Sequence, residues 1–127
     1  MGVSVEQIRE AVETLSSVEG VFMPASSLAE DAFLLSIAFP DEDDYLAACA
    51  STIRALERLV KDSVSTSELK YDLEGWHSFH YQHRVGQGMR ATMRIVYRKT
   101  GFGIEVLGFG HREVPLDVYR RLSRDRS

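Results

Sequence analysis

The spacing of apolar residues along this chain changes near its middle. In residues 5–15, and again in residues 42–62, apolar side chains recur three or four positions apart, which predicts two amphipathic helices. From Trp76 onward apolar and polar residues alternate, as in strands that bury one face. The order of these patterns predicts an α+β domain with its sheet in the C-terminal half.

Residues that flank the two helical patterns have the character of helix ends. Ser4 and Gln7 have the spacing of a capping box ahead of the first helix, and Gly20 is placed to stop it. Asp41 is placed to cap the second helix, and the three acidic residues at 42–44 suit the positive end of the helix dipole. The apolar face of the second helix is expected to consist of Leu46, Cys49, Ile53, Leu56 and Val60.

A short apolar run, AFLLSIAF at residues 32–39, lies between the two helical patterns and is closed by Pro40. A short run of this kind, bounded by a proline, favours a buried strand over a helix. We therefore expect residues 32–39 to join the sheet, with the helix over 42–62 packed on its apolar face.

Three further strands are predicted at residues 76–85, 90–99 and 102–110. These segments are rich in aromatic and β-branched residues, and glycine-containing turns separate them. Consecutive hairpins of this kind predict a three-stranded antiparallel meander.

The middle strand of the meander has an apolar face and a basic face. Met93, Ile95 and Tyr97 alternate and are expected in the core. The opposite face is expected to carry Arg94, Val96 and Arg98. Beyond the last strand, Pro115 suits the first turn of a closing helix that buries Val118 and Leu122.

Length and composition are those of one domain spanning residues 1–127. A chain of 127 residues with 44% apolar content can bury one core. Cys49 is the single cysteine, which excludes a disulfide framework and fits a reducing cytoplasm. No window approaches the ~18 apolar residues of a membrane span, and the first residues do not have the pattern of a targeting segment. We expect a cytoplasmic protein that does not associate with membranes.

Charge is divided unevenly between the two halves of the chain. Residues 1–69 contain 4 Lys or Arg and 13 Asp or Glu, a balance of −9, whereas residues 70–127 contain 11 and 6, a balance of +5. A basic C-terminal half suggests a surface for a polyanion or an acidic partner. Scattered solvated arginines are the alternative interpretation.

The segments MRIVYR, IEVLGFGHR and VYRRL resemble the C-terminal half of the RelE/ParE superfamily of bacterial type II toxin–antitoxin toxins. In that family a strand with an Arg-hydrophobic-hydrophobic-Tyr unit pairs with a strand ending in Gly-His-Arg or Gly-Lys-Arg, and a Val-Tyr pair follows. The resemblance covers roughly residues 30–122 and is specific over 76–121. It implies a small antiparallel sheet of about four strands with helices on one face. The helical segment at 1–30 is an addition to the family's pattern.

The resemblance also implies roles for individual residues. Arg94 stands at the family's active-site arginine, Arg112 at a second phosphate-binding arginine, and Tyr119 at a tyrosine that stacks on a base or acts as the acid. His80 and Gln82 lie where the family often carries lysines, and His80 is the better candidate base because histidine titrates near neutral pH. RNA or phosphate contacts are further expected from Arg84, Arg90, Arg98, His111 and Arg120.

Cleavage through the ribose 2′-hydroxyl needs a base, a cation to neutralise the phosphorane, and an acid for the leaving 5′-oxygen. Arginine suits the second role because its planar fork stays charged and can hold two phosphate oxygens. No metal or other cofactor is required. On this interpretation the strand end and the closing helix form the rim of a phosphate pocket whose floor is Arg94.

Each of these residues also has a purely structural interpretation. Arg94 and Arg98 could be solubilising, the ring of Tyr119 could pack on the sheet, and His80 and His111 could be structural. A zinc site is suggested by three histidines spaced three apart. On a strand, however, His77 and His83 face one way and His80 the other, so no metal site is expected.

Three functions remain open from the sequence. The first is a toxin that cuts messenger RNA on the ribosome and is held inactive by a cognate antitoxin. The second is a ParE-type inhibitor of DNA gyrase, which acts by contact alone. The third is a non-catalytic RelE-fold binding or regulatory protein in which the acidic N-terminal segment covers the basic face.

Overall fold

The computed structural model describes residues 2–61, 67–84, 86 and 88–126. Within these ranges the chain is of the α+β class, and a short 3₁₀ turn at Tyr71–Leu73 precedes the meander. In chain order the elements are α1 (Val5–Ser16), β1 (Val21–Phe22), α2 (Ala25–Ala38), α3 (Glu42–Val60), β2 (Ser67–Glu68), β3 (His77–Tyr81), β4 (Met93–Lys99), β5 (Ile104–His111) and α4 (Val118–Arg126).

The sheet has the order β1-β5-β4-β3-β2. Strands β3, β4 and β5 pair antiparallel in sequence, which confirms the predicted meander. The two-residue strand β1 pairs parallel with β5, so the sheet is mixed rather than antiparallel throughout. Residue 85, the last of the strand predicted at 76–85, lies outside the described residues.

The prediction of a strand at 32–39 is wrong, because residues 32–38 belong to helix α2 and Phe39 caps its C-terminus. The helix packs against α1, α3 and strand β5, so neighbours cover it on several sides. A helix in such a position lacks the wide polar face that marks an amphipathic helix. The sequence pattern of its apolar run is therefore the same as that of a buried strand.

The first and third helices begin as predicted. Ser4 and Gln7 form the capping box of α1, which ends at Ser16 before Gly20 is reached. The Asp44 backbone N–H donates to the Asp41 side chain, which caps α3. Residue 62, the predicted end of this helix, lies outside the described residues. Of its predicted apolar face, Cys49 and Leu56 are buried, whereas Leu46 is 47% exposed. The helix also buries Tyr45, Ala48, Ser51, Thr52, Ala55 and Leu59.

Helices cover both faces of the sheet, which corrects the expectation of helices on one face. The larger core lies between α1–α3 and the face that carries Phe79, Ile95 and Phe109. On the other face, α4 packs Val118 and Leu122 onto Val96 of β4, which forms a smaller core.

Helix α4 starts later than predicted. Its first residue is Val118, so Pro115 precedes the helix instead of lying in its first turn. Asp117 provides the cap, since its carboxylate accepts a hydrogen bond from the Arg120 backbone N–H at 3.1 Å.

Helix α4 is tied to α2 by a buried ion cluster at Asp31. This carboxylate has no exposed surface and accepts bonds from Arg121 Nη1 at 2.7 Å and from both terminal nitrogens of Arg126 at 2.8 Å. It also accepts the Phe109 backbone N–H at 3.0 Å. Burial lowers the pKa of Arg126, but its bonds to Asp31 and Glu30 outweigh burial and leave the pKa raised.

The same two arginines donate hydrogen bonds to backbone carbonyls of β5 that lie beyond its pairing with β1. Arg126 Nη1 donates to the Leu107 carbonyl at 2.9 Å, and Arg121 Nη2 donates to the Phe109 carbonyl at 3.4 Å. Strand β1 pairs with β5 only at residues 104 and 105. Beyond them the two guanidinium groups provide the hydrogen bonds that a neighbouring strand would otherwise provide.

Close approach of α4 to β5 depends on Gly108. A Cβ at this position would lie 2.3 Å from Leu122 Cδ2 and 2.8 Å from Arg126 Nη1. Any larger residue would push the helix away from the strand. None of the described helices is long and apolar enough to cross a membrane.

Replacing Asp31 by asparagine is expected to lower the free energy of unfolding by roughly 3–5 kcal/mol, because two guanidinium groups lose their buried counter-charge. Denaturant unfolding measures this loss. Glu30→Gln is the matched control: Glu30 contacts Arg126 at 2.7 Å but is 52% exposed, so its loss should cost about 1 kcal/mol or less. Equal losses in the two variants would contradict the assigned role of the buried cluster.

Candidate active site

Strands β3 and β4 and helix α4 bring three polar side chains together. Ser78 and His80 alternate on the face of β3 that α4 covers. The Tyr119 hydroxyl, on α4, lies 2.8 Å from Ser78 Oγ and 3.5 Å from His80 Nε2. A hydroxyl and an imidazole in contact can exchange a proton, which is the basic requirement for acid–base chemistry.

Arg94 is the cross-strand partner of His80 in the β3–β4 pairing. Contrary to the expectation of an exposed basic face, Arg94 is only 5% exposed. Its Nη1 donates to the carbonyl oxygens of Ala91 and Met93, the latter at 2.9 Å. Among the described residues, its buried Nε has no hydrogen-bond partner. A buried cation with a donor that has no partner is unusual.

The environment of His80 favours its neutral form. Burial lowers the pKa of His80 most, and the positive charges of Arg94 and Arg112 lower it further. At neutral pH the imidazole therefore has a free lone pair, as a general base requires.

Arg112 follows the last residue of β5 and is exposed. Two backbone hydrogen bonds hold Arg112 in place. Its N–H donates to the Thr92 carbonyl at 2.8 Å, and its carbonyl accepts from the Val118 N–H at 2.8 Å. The charge of Arg112 acts on His80, so it belongs to the same electrostatic environment as Arg94. Of the four residues assigned to catalysis, Tyr119 contacts His80, Arg94 pairs with it across the strands, and the charge of Arg112 acts on it.

The other residues expected to bind phosphate do not join this group. Arg84 pairs with Asp44 at the start of α3, at 2.8 Å. Arg98 pairs with Glu105 at 2.6 Å, and its guanidinium lies over the Trp76 ring at 4.4 Å. Both cations are therefore occupied by contacts within the protein.

His111 has a structural role at the end of β5. It pairs with Met93 on the face of the larger core, and its ring contacts Phe39. Its Nδ1 accepts the backbone N–H groups of Glu113 and Val114 at 3.0 and 3.1 Å. Arg90 and Arg120 are exposed, and Arg120 lines a cleft beside Tyr119.

The three histidines lie on two faces of the sheet, as expected. His77 pairs with Tyr97 on the larger core, and His83 stacks on Phe39 at 4.4 Å. His80 lies on the face covered by α4. Within the described ranges, no group of three His, Cys, Asp or Glu side chains is arranged to hold a metal ion.

The described helices of the acidic N-terminal half do not cover the site. Helices α1, α2 and α3 pack on the opposite face of the sheet, where they enclose the larger core. The arrangement proposed for a regulatory protein, with the acidic segment over the basic face, is therefore not found in this structure.

Two residues important for the site were not identified from the sequence. Ser78 bonds a residue 41 positions away, and no local pattern indicates such a pair. Asp31 directly precedes the apolar run at 32–39. An acid beside a segment whose pattern predicts burial indicates an ion pair, because a buried carboxylate needs cationic partners.

Comparison of the chain with family models, with curated proteins and with solved structures finds no match.

In an NMR titration of the imidazole ring protons, we expect His80 to titrate below about 6.5, the ordinary value for histidine. Arg112→Gln removes one of the charges that depress the pKa, so the pKa of His80 should rise in this variant. His111 serves as an internal control, because its pKa is lowered by burial and by charges other than Arg112. A His80 pKa unchanged by Arg112→Gln would show that Arg112 lies outside the site.

Proposed function

We propose that the protein is an endoribonuclease that cleaves messenger RNA through the ribose 2′-hydroxyl. The observation that carries this proposal is the contact of Tyr119 with His80 beside the buried guanidinium of Arg94. A base, a hydroxyl acid and a cation within one small region are the groups that this reaction needs.

We assign the roles from the positions of four residues. His80 takes the proton of the 2′-hydroxyl, and the resulting oxygen attacks the neighbouring phosphorus. Arg94 and Arg112 neutralise the negative charge that develops on the phosphorane. Tyr119 gives its proton to the leaving 5′-oxygen.

The short distance between Tyr119 and His80 allows a proton to pass between them after cleavage. After cleavage, His80 holds the proton taken from the ribose and Tyr119 has lost its own. Transfer across the 3.5 Å contact restores both groups to their starting forms. Ser78 keeps the tyrosine hydroxyl in place through its 2.8 Å hydrogen bond.

This contact favours catalysis over gyrase inhibition. A protein that inhibits gyrase by binding alone would need neither a neutral imidazole nor a hydroxyl beside it. From the resemblance, the proposed partners are the ribosome, which presents the message, and an antitoxin that blocks the site.

Tyr119→Phe and His80→Ala are each expected to slow cleavage of a translated message by about 10²–10⁴-fold, the usual contribution of an acid or base. The assay is single-turnover cleavage at matched concentrations of folded protein, with and without ribosomes. Arg112→Ala should slow the reaction by on the order of 100-fold, through loss of a charge-stabilising donor. Arg94→Ala is less informative, because Arg94 is buried and its loss also disturbs the fold.

Tyr45→Phe is a matched control for the tyrosine variant. The buried Tyr45 hydroxyl donates to the Ala32 carbonyl at 3.0 Å, far from His80 in the larger core. This variant should lose about 1 kcal/mol of stability and retain full activity. Wild-type protein that never cleaves RNA, on or off ribosomes, would overturn the proposed function.

A further inference from the structure

A second concave surface adjoins the candidate active site. It lies between helix α4 and the 3₁₀ turn at 71–73, and its volume is about 330 Å³. The cleft is lined by Lys70, Asp72, Leu73, Tyr119, Arg120 and Ser123. Tyr119 belongs to both places, since it lines the cleft and its hydroxyl contacts Ser78 and His80.

The two cations of the cleft differ from most of the basic residues around them. Arg84, Arg98, Arg121, Arg124 and Arg126 all form ion pairs with carboxylates. Within the part of the chain that is described, Lys70 and Arg120 are exposed and form no such pair. Their charges are therefore free to meet an anion.

The third charged group of the cleft is Asp72, which is also exposed. Two cations and one carboxylate leave a balance of one positive charge, which matches one phosphodiester. The volume lies at the lower end of the range of small-ligand sites, roughly 300–1,000 Å³, so the cleft suits one nucleotide rather than a folded domain.

We propose that this cleft is the subsite for the nucleotide next to the one that is cleaved. Lys70 and Arg120 contact its phosphate, and the Tyr119 ring offers an aromatic surface for its base. This proposal rests on the proposed function, because Tyr119 fixes the position of the cleft relative to the scissile phosphate.

The test measures binding rather than cleavage. The probe is a dye-labelled single-stranded RNA that is fully 2′-O-methylated and therefore cannot be cut. Its fluorescence anisotropy is followed with the RNA free and with the RNA loaded on ribosomes. Lys70→Ala and Arg120→Ala should each weaken binding roughly three- to tenfold. Each should also lower the slope of log affinity against log salt by roughly 0.7, the value for one phosphate contact.

Arg124→Ala is the matched control, because it removes the same charge from the same helix outside the cleft. It should leave both the affinity and the salt slope near their wild-type values. Arg120→Lys, which keeps the charge, should retain most of the binding. Asp72→Asn should strengthen binding, because it removes the one negative charge of the cleft.

The outcomes separate this proposal from the proposed function. If binding depends on Lys70 and Arg120 but no RNA is ever cleaved, the subsite stands and the catalytic function fails. If the wild type cleaves RNA but the two cleft variants bind as the Arg124→Ala control does, the subsite is overturned and the catalytic function stands. If the wild-type protein binds neither the free RNA nor the RNA on ribosomes, both the subsite and the catalytic function are overturned.

Discussion

The rest of the structure depends on the contact between the Asp31 carboxylate and two arginines of helix α4. Four hydrogen bonds reach this carboxylate, three from guanidinium groups and one from the backbone of β5. Leaving such a buried charge without its partner costs much stability. The acid and the arginines therefore hold one another in position. Helix α2, strand β5 and helix α4 are thereby fixed relative to one another.

Fixing α4 determines the position of Tyr119. Arg121, two residues further along the helix, is anchored at Asp31, while Tyr119 lies over β3 and reaches Ser78. Gly108 permits this arrangement, because a side chain there would collide with Leu122. The contact between Tyr119 and His80 is therefore a product of contacts between distant segments of the chain.

This dependence explains how much could be predicted from the sequence. Helix α3 and the meander were predictable because their signals are local: a cap at Asp41, and apolar alternation around Ile95. Helix α2 was missed because neighbours on several sides remove its polar face. The placement of Arg94 beside His80 depends on the register of β3 against β4, which apolar alternation alone does not specify.

Other features could not be predicted because they arise from tertiary contacts. Alternation assigns Arg94 to a face of the sheet but does not show that the surrounding chain buries it. The structural role of His111 depends on Phe39 of the region wrongly predicted as a strand. The bond between Ser78 and Tyr119 depends on the packing of α4, for which the sequence offered only Val118 and Leu122.

The central claim is that a neutral imidazole and a tyrosine hydroxyl, placed by α4 beside buried and exposed arginines, cleave RNA through its own 2′-hydroxyl. Analysis of the cleaved ends by mass spectrometry tests this claim most directly. Attack by the ribose oxygen predicts a 2′,3′-cyclic phosphate on one fragment, or the 3′-phosphate that forms when it opens, and a 5′-hydroxyl on the other. Fragments that carry a 5′-phosphate and a 3′-hydroxyl would show that water attacked the phosphate instead, and would contradict the mechanism.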